Sequence, residues 1–254
     1  MSQVELKKEN QIAVITINNP PANTLNQQIF TQLRDILTKL DQDDTKVIII
    51  TGAGDRFFIG GADIKQFEGQ DAKGAEKAAR MGQEFTLFLE QHSKVLIVAV
   101  NGFCLGGGME LSQACDFIIA SENARFGQTE IKLGIIPGWG GTQRLQRWMD
   151  PQHARELILT GEIVPAAEMG NFIYKVVPHS QLLPTAMNLA ERIAARGLVA
   201  IKLAKKALKR ALYMPIEEGL KLEAQYFGRV FETEDAKEGV KAFFEKRDPK
   251  VVDK

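Results

Sequence analysis

Two glutamates twenty residues apart, Glu110 and Glu130, stand in the part of this 254-residue chain whose residue types and spacing best suit chemistry. Glu110 follows the triplet Gly106-Gly107-Gly108, where a helical pattern opens with Met109, Leu111, Ala114 and Cys115 as apolar positions. Glu130 closes the turn-like run Phe126-Gly-Gln-Thr-Glu130. The first amides of a helix have no intrahelical partner and lie at the positive end of its dipole. Glycines before them let other groups come close to the backbone. Such a place can hold an anion, or an oxygen that becomes anionic during a reaction. The plain alternative is that the glycines only allow packing and Glu110 only offsets its helix dipole.

The elements that must position these residues are legible on either side. The apolar run Val95–Val100 reads as a strand leading through Gly102 to the triplet, and Pro137-Gly-Trp-Gly-Gly141 reads as a tight turn before another helix. Upstream, Val47–Ile50 is a buried strand followed by Gly52-Ala-Gly54-Asp-Arg-Phe-Phe-Ile-Gly-Gly-Ala-Asp63, which looks like a diverged copy of the central stretch. Each copy is an apolar strand, a glycine-rich turn and then an acid. Taken alone, the alternation of strands and helices reads as a doubly wound α/β sheet, whereas the repetition points to stacked turns of a superhelix.

The remaining chain frames this centre. Val4–Leu6 and Ile12–Ile17 read as short strands around the polar turn Lys7–Gln11, and Asn19–Asn23 as a rigid connection. Asn26 suits the cap of a helix whose apolar face is Ile29, Leu33, Ile36, Leu37 and Leu40. Residues 66–84 are polar and alanine-rich and read as a mobile loop leading into a helix. Asp150-Pro151 opens a helix that Gly161 ends, and Leu182–Ala195 is amphipathic. From Leu198 the pattern is wholly helical, near 198–212, 215–231 and 234–246. Three short helices make a poor independent core, so their apolar residues Leu203, Leu208, Leu212, Leu220, Phe227, Val230, Phe231, Val240, Phe243 and Phe244 are expected to pack on the preceding domain and on neighbouring subunits. Two units follow, a catalytic domain over 1–197 and a helical oligomerisation domain over 198–254.

Composition narrows the function classes. The chain is 44% hydrophobic and 25% charged, with a formal net charge of zero. That is ordinary globular usage, and nothing in the overall charge favours nucleic acid or an anionic membrane; an anionic ligand would need a local basic patch. No apolar run reaches a transmembrane length and the first residues lack a signal-peptide core, so a soluble cytoplasmic protein is expected. Cys104 and Cys115 fall in apolar stretches and read as buried thiols, and His92, His153 and His179 are scattered. There is no H-E-x-x-H and no G-x-S-x-G. No lysine follows Gly107 or Gly108 as a P-loop requires, and Gly52-Ala-Gly54-Asp-Arg-Phe57 ends in phenylalanine where a dinucleotide fingerprint needs glycine. The expectation is therefore a chain without metal or nicotinamide cofactor.

Four motifs in order give a sharper reading: Gly60-Gly-Ala-Asp-Ile-Lys65, Asn101-Gly-Phe-Cys-Leu-Gly-Gly-Gly-Met-Glu110, Phe126-Gly-Gln-Thr-Glu130 and Ile136-Pro-Gly-Trp-Gly-Gly-Thr-Gln-Arg-Leu145. Over essentially its whole length the chain resembles the enoyl-CoA hydratase/isomerase family, the crotonase superfamily. The resemblance implies an α/β fold, a spiral of repeated ββα units with a C-terminal helical segment, assembled into trimers or hexamers.

It further implies an enoyl-CoA hydratase, a lyase that adds water across the double bond of a 2-enoyl thioester of coenzyme A in fatty-acid β-oxidation or related lipid metabolism. Backbone N–H groups of Ala62 and Gly107 then form the oxyanion hole. Glu110 activates water and Glu130 delivers a proton to C2. Ala62, Asp63, Ile64, Lys65, Gly107, Phe227 and Lys246 take the coenzyme A side, with submillimolar affinity expected for free coenzyme A. Residues 66–84 border the acyl pocket. Met109 and Trp139 depart from the family's commoner residues and bear on pocket shape. The alternatives are Δ3-Δ2 enoyl-CoA isomerisation, which many relatives perform with one catalytic carboxylate, and a non-catalytic crotonase-fold protein that binds RNA or an assembly partner.

Overall fold

Residues 3–253 are described in the computed structural model of the chain, and they form ten strands and nine α-helices. The hairpin of β1 (Val4–Glu9) and β2 (Ile12–Ile17) is antiparallel. The first strand runs on to Glu9, past the expected Leu6. The turn shrinks to Asn10 and Gln11 because Asn10 adopts a left-handed conformation (φ 51°), which asparagine tolerates. Helix α1 (Gln27–Gln42) starts where expected: the Asn26 side chain accepts from the Ile29 N–H at 2.9 Å. Its apolar stripe buries Ile29, Phe30, Leu33, Leu37 and Leu40.

Next comes a unit that repeats. Strand β3 (Val47–Gly52), short strand β4 (Phe57–Ile59) and helix α2 (Ala72–Gln91) make its first turn. Strand β5 (Val95–Val100), β6 (Phe103–Leu105) and α3 (Gly107–Gln113) make the second. Strand β7 (Phe117–Ser121), β8 (Arg125–Gly127) and α4 (Gly141–Trp148) make the third. The long strands pair in parallel with one another, and so do the short ones in a separate sheet. This arrangement decides between the two sequence readings. A doubly wound sheet would hold all the strands in one layer, whereas here each repeat contributes one strand to each of two sheets.

The chain continues through α5 (Pro151–Thr160), β9 (Val164–Pro165), β10 (Lys175–Val177) and α6 (Leu182–Ala194). The larger sheet then has the order β1-β2-β3-β5-β7-β10 and the smaller β4-β6-β8-β9. Both faces of the larger sheet are covered. Ile48, Ile50, Leu96 and Val98 face the core beneath α1, while Val47, Ile49, Val95 and Ile97 face Leu182, Ala186 and Ala190 of α6. Continuous apolar strands are what a parallel sheet buried on two sides requires.

Residues 66–84 run from a loop into a helix as expected, but the helix takes up most of the stretch. Ile64–Phe67 form one short 3-10 turn, and α2 begins at Ala72, where the Asp71 carboxylate accepts from the Gly74 N–H at 2.8 Å. A good cap followed by alanine-rich sequence favours helix over loop.

The C-terminal helices are α7 (Leu198–Ala211), α8 (Ile216–Val230) and α9 (Glu234–Phe244). They are tied to the sheet by buried lysines that the sequence reading did not single out. Lys46 Nζ donates to the carbonyls of Ala194 and Arg196 and pairs with Asp253 at 2.8 Å. Lys205 Nζ pairs with Asp116 at 2.6 Å and donates to the Lys94 carbonyl at 2.6 Å. Of the apolar residues expected to line these helices, Leu203 alone is buried within one chain. Leu208, Phe227, Phe243 and Phe244 are between 66% and 78% exposed.

Candidate active site

Parallel pairing of β4 with β6 (Phe57 opposite Phe103, Ile59 opposite Cys104) brings the two glycine-rich turns side by side. In the first, Leu25 donates to the Gly61 carbonyl and accepts from the Asp63 N–H, both at 2.8 Å. That bridge uses the groups flanking Ala62 and turns the Ala62 N–H to the opposite side. In the second, Gly106 N–H donates to the Gly127 carbonyl at 2.9 Å, and Gly107 begins α3. Neither the Ala62 nor the Gly107 N–H donates to a protein group among the described residues. The sequence-predicted pair of donors thus comes to adjacent turns.

Glycine is required here for two separate reasons. Gly106 has φ 49° and ψ −118°, a backbone that side chains disfavour, and a Cβ there would lie 3.0 Å from Glu130 Oε1. At Gly107 a Cβ would lie 2.3 Å from a ring carbon of Trp139, so the indole closes directly over this turn. The ring in turn meets Phe30 edge-on at 5.2 Å, and Phe30 stacks on Phe85 at 4.5 Å.

Glu110 lies in the first turn of α3 and is 2% exposed. Its Oε1 accepts from the Trp139 N–H at 2.7 Å and the Gly141 N–H at 2.8 Å, so the carboxylate also sits at the start of α4. Glu130 begins the 3-10 turn Glu130–Leu133 after β8. Both of its oxygens accept from Gln128 Nε2 at 3.2 Å, and Gln128 Oε1 accepts from Gln113 Nε2 at 2.8 Å. Gln128 and Gln113 are buried.

Burial, then the nearby charge of Glu130, pushes the Glu110 carboxyl up to about 7, against the opposing pull of its two backbone donors and Arg144. Burial also raises Glu130, with hydrogen bonds from its own backbone and Gln128 working the other way. Both carboxyls are pushed towards the protonated form, and the charge of Glu130 raises Glu110, so ionisation of one opposes ionisation of the other.

The other predicted positions divide. Asp63 caps the 3-10 turn by accepting from the Lys65 N–H at 3.2 Å, so Ala62, Asp63, Ile64 and Lys65 form one continuous rim, with Ile64 and Lys65 exposed. Phe227 and Lys246 stand apart. Phe227 on α8 meets Phe231 at the helix end with tilted rings, and Lys246 adopts φ 54° just after α9. Among the described residues, no hydrogen bond, ion pair or ring contact joins either to the rim. Both thiols are buried as expected, Cys104 and Cys115 each pushed up to about 12. His92 is buried with Nε2 against the Leu37 carbonyl, a satisfied structural histidine. Among the described residues there is no cluster of His, Cys, Asp and Glu that could hold a metal, and no helix long and apolar enough to cross a membrane.

Sequence reasoning missed the groups that hold the carboxylates: the amides of Trp139 and Gly141, and the pair Gln113–Gln128. A signal for the first existed, since Pro137–Gly141 is a glycine-rich turn opening a helix and therefore a second cluster of free amides.

Comparison with known proteins agrees with this geometry. The family model for enoyl-CoA hydratase/isomerase matches residues 7–254. The crotonyl-CoA hydratase of Syntrophomonas wolfei is 41% identical over 253 residues, 98% of this chain and 97% of that protein. The short-chain-enoyl-CoA hydratase of Clostridium acetobutylicum is 41% identical over 251 residues, 97% and 96% of the two chains. The crystal structure of an enoyl-CoA hydratase from Bacillus anthracis superposes with a TM-score of 0.95 at 38% identity, covering 100% of both chains. The chain belongs to the enoyl-CoA hydratase/isomerase family, and its spiral of ββα units is the crotonase fold.

Proposed function

We propose that this protein is an enoyl-CoA hydratase, converting 2-enoyl-CoA thioesters to 3-hydroxyacyl-CoA in the breakdown of fatty or related acyl groups. The observation that carries the reading is a buried glutamate clamped by two backbone N–H groups, near a second carboxylate and the turns whose Ala62 and Gly107 N–H groups have no protein partner among the described residues. The hydratase names of the relatives support it.

The difficulty of the reaction is the negative charge that builds on the thioester oxygen. In this reading the N–H groups of Ala62 and Gly107 hold that oxygen. Ionised Glu110 takes a proton from water as the water oxygen bonds to C3. The electron pair of the double bond moves towards the thioester oxygen, and protonated Glu130 then delivers its proton to C2. The proton on Glu110 returns to Glu130 through solvent, which closes the cycle. Removing one oxyanion donor costs roughly a hundred- to a thousandfold in rate, and each proton transfer contributes roughly a hundred- to ten-thousandfold. The chemistry needs neither metal nor nicotinamide.

Coenzyme A is placed along the Ala62–Lys65 rim. Phe227 and Lys246 join it only in an assembled homo-oligomer, a trimer or a hexamer built through the unit 198–254. The exposed apolar residues of α7, α8 and α9 support that assembly. The test is direct. Adding the pure protein to crotonyl-CoA, and to a longer 2-enoyl-CoA, should remove the conjugated-enoyl absorbance at a rate proportional to protein. Unchanged absorbance with both substrates would end the hydratase reading.

A further inference from the structure

The carboxylate of Glu110 is held by two amides, and those amides are held in turn. The Trp139 carbonyl accepts from Thr86 Oγ1 at 2.8 Å and from Arg144 Nη1 at 3.1 Å, and Arg144 Nη1 also reaches Thr86 Oγ1 at 3.2 Å. On its other side, Arg144 grips Glu90 Oε2 through Nε at 2.9 Å and Nη2 at 2.7 Å. The remaining oxygen of Glu90 accepts from the Tyr213 hydroxyl at 2.9 Å, in the segment between α7 and α8. Arg144 is 7% exposed, and the side chains of the ion pair are 8% and 11% exposed.

A planar guanidinium makes all these contacts at once, and its charge cannot be lost by deprotonation. A buried ion pair is weak evidence of stabilisation, because desolvation offsets the attraction. Its placement is more informative. The two contacts to the Trp139 carbonyl fix the peptide between Trp139 and Gly140, which lies between the two N–H groups, those of Trp139 and Gly141, that donate to Glu110. Of the charges around Glu110, that of Glu130 opposes its ionisation and that of Arg144 favours it. Beyond Arg144 lie Glu90 on α2, Tyr213, and Arg147, which sits 5.4 Å over the Tyr213 ring.

We infer that Arg144, braced by Glu90 and Tyr213, is a positioning residue for Glu110. It fixes the two-amide clamp on that carboxylate and joins it through hydrogen bonds to the C-terminal helical segment. The inference rests on the proposed role of Glu110 as the base.

Arg144→Met and Arg144→Lys test it in the full-length protein. With Arg144→Met, kcat for crotonyl-CoA should fall tenfold or more while KM stays within about threefold. The acidic limb of kcat should move to higher pH, because a positive charge that favoured ionised Glu110 is gone. Arg144→Lys should recover part of the rate and of the limb. Carbon-13 NMR of glutamate-labelled protein reads the Glu110 titration whatever the reaction, and its midpoint should rise with the methionine variant. That readout separates failure of the relay from failure of the hydratase reading. Should Arg144→Met not fold, the near-isosteric Thr86→Val removes the other contact to the Trp139 carbonyl, with a threefold or larger fall in kcat expected at unchanged KM. Folded Arg144→Met with kcat within twofold of the parent and an unmoved Glu110 midpoint would overturn the inference, as would an unaltered Thr86→Val.

Discussion

At the scale of single residues, Glu110 serves two opposed demands. Its carboxyl is pushed up to about 7 because it is buried next to Glu130, so the folded protein holds a proton there that the unfolded chain releases near 4.5. Stability from this group is therefore present below pH 4.5 and declines as pH rises through about 7. Glu110→Gln cannot titrate, so it should be more stable than the parent above pH 7 by roughly 3 kcal/mol, with the gain fading towards pH 4.5. Denaturant unfolding at a series of pH values measures this. The same substitution should lower hydration by roughly two to four orders of magnitude with little change in substrate binding. Glu130→Gln should suppress hydration too, and also abolish exchange of the C2 proton with deuterated solvent. A Glu110→Gln variant that hydrates crotonyl-CoA at the parent rate would return Glu110 to the plain role of dipole partner.

At the scale of elements, the site is a consequence of strand pairing. The short strands β4 and β6 carry no chemistry, yet their parallel register sets the Ala62 and Gly107 amides on neighbouring turns. Asn101 secures the start of each turn: its Nδ2 donates to the Gly52 carbonyl at 3.0 Å and its Oδ1 accepts from the Gly52 N–H at 3.2 Å. The indole of Trp139 then fixes how close anything can come to Gly107. In Gly107→Ala the new methyl would start 2.3 Å from a ring carbon, so the turn or the ring must shift. We expect kcat to fall roughly a hundredfold, the loss typical of one misplaced oxyanion donor, with the fold retained. Steady-state kinetics alongside calorimetric titration with coenzyme A would show whether the loss lies in kcat, as expected, or in binding.

At the scale of the whole molecule, the C-terminal helices are anchored by polar contacts and leave their apolar residues outward. Buried Lys46 and Lys205 bind them to the sheet, while Phe227, Phe231, Phe243 and Phe244 stay exposed. Exposed apolar side chains such as these are what the proposed contacts between chains would cover. The full chain should sediment as a stable oligomer, and removal of residues 198–254 should abolish both assembly and activity. An active monomer in sedimentation would contradict the proposal. The truncation also strips Lys46 and Asp116 of their partners, leaving a buried charge at each site uncompensated, which strongly destabilises a fold.

What the sequence determined by itself was whatever depends on neighbours along the chain. Asn26 and Asp150 announce their helices because a cap acts within three residues, and the helices from 198 onward fall within two residues of their expected ends. The repeated strand–glycine turn–acid pattern pointed to stacked units, and the motifs around Ala62, Gly107, Glu110 and Glu130 marked the candidate site. Only the tertiary structure decided what depends on distant parts of the chain. Residues 66–84 read as a loop leading into a helix, and where that helix starts was not legible, because the buried face of α2 at Gly82, Phe85 and Thr86 is intelligible only once Trp139 is folded against it. The clamp on Glu110 unites α3 with a turn about thirty residues later, and its brace reaches back to Glu90 and on to Tyr213. No periodicity encodes such contacts. A carboxyl's proton affinity likewise depends on the burial and charge that the fold assembles around it, so Glu110 could be located in the sequence, but its tuning towards neutrality could not.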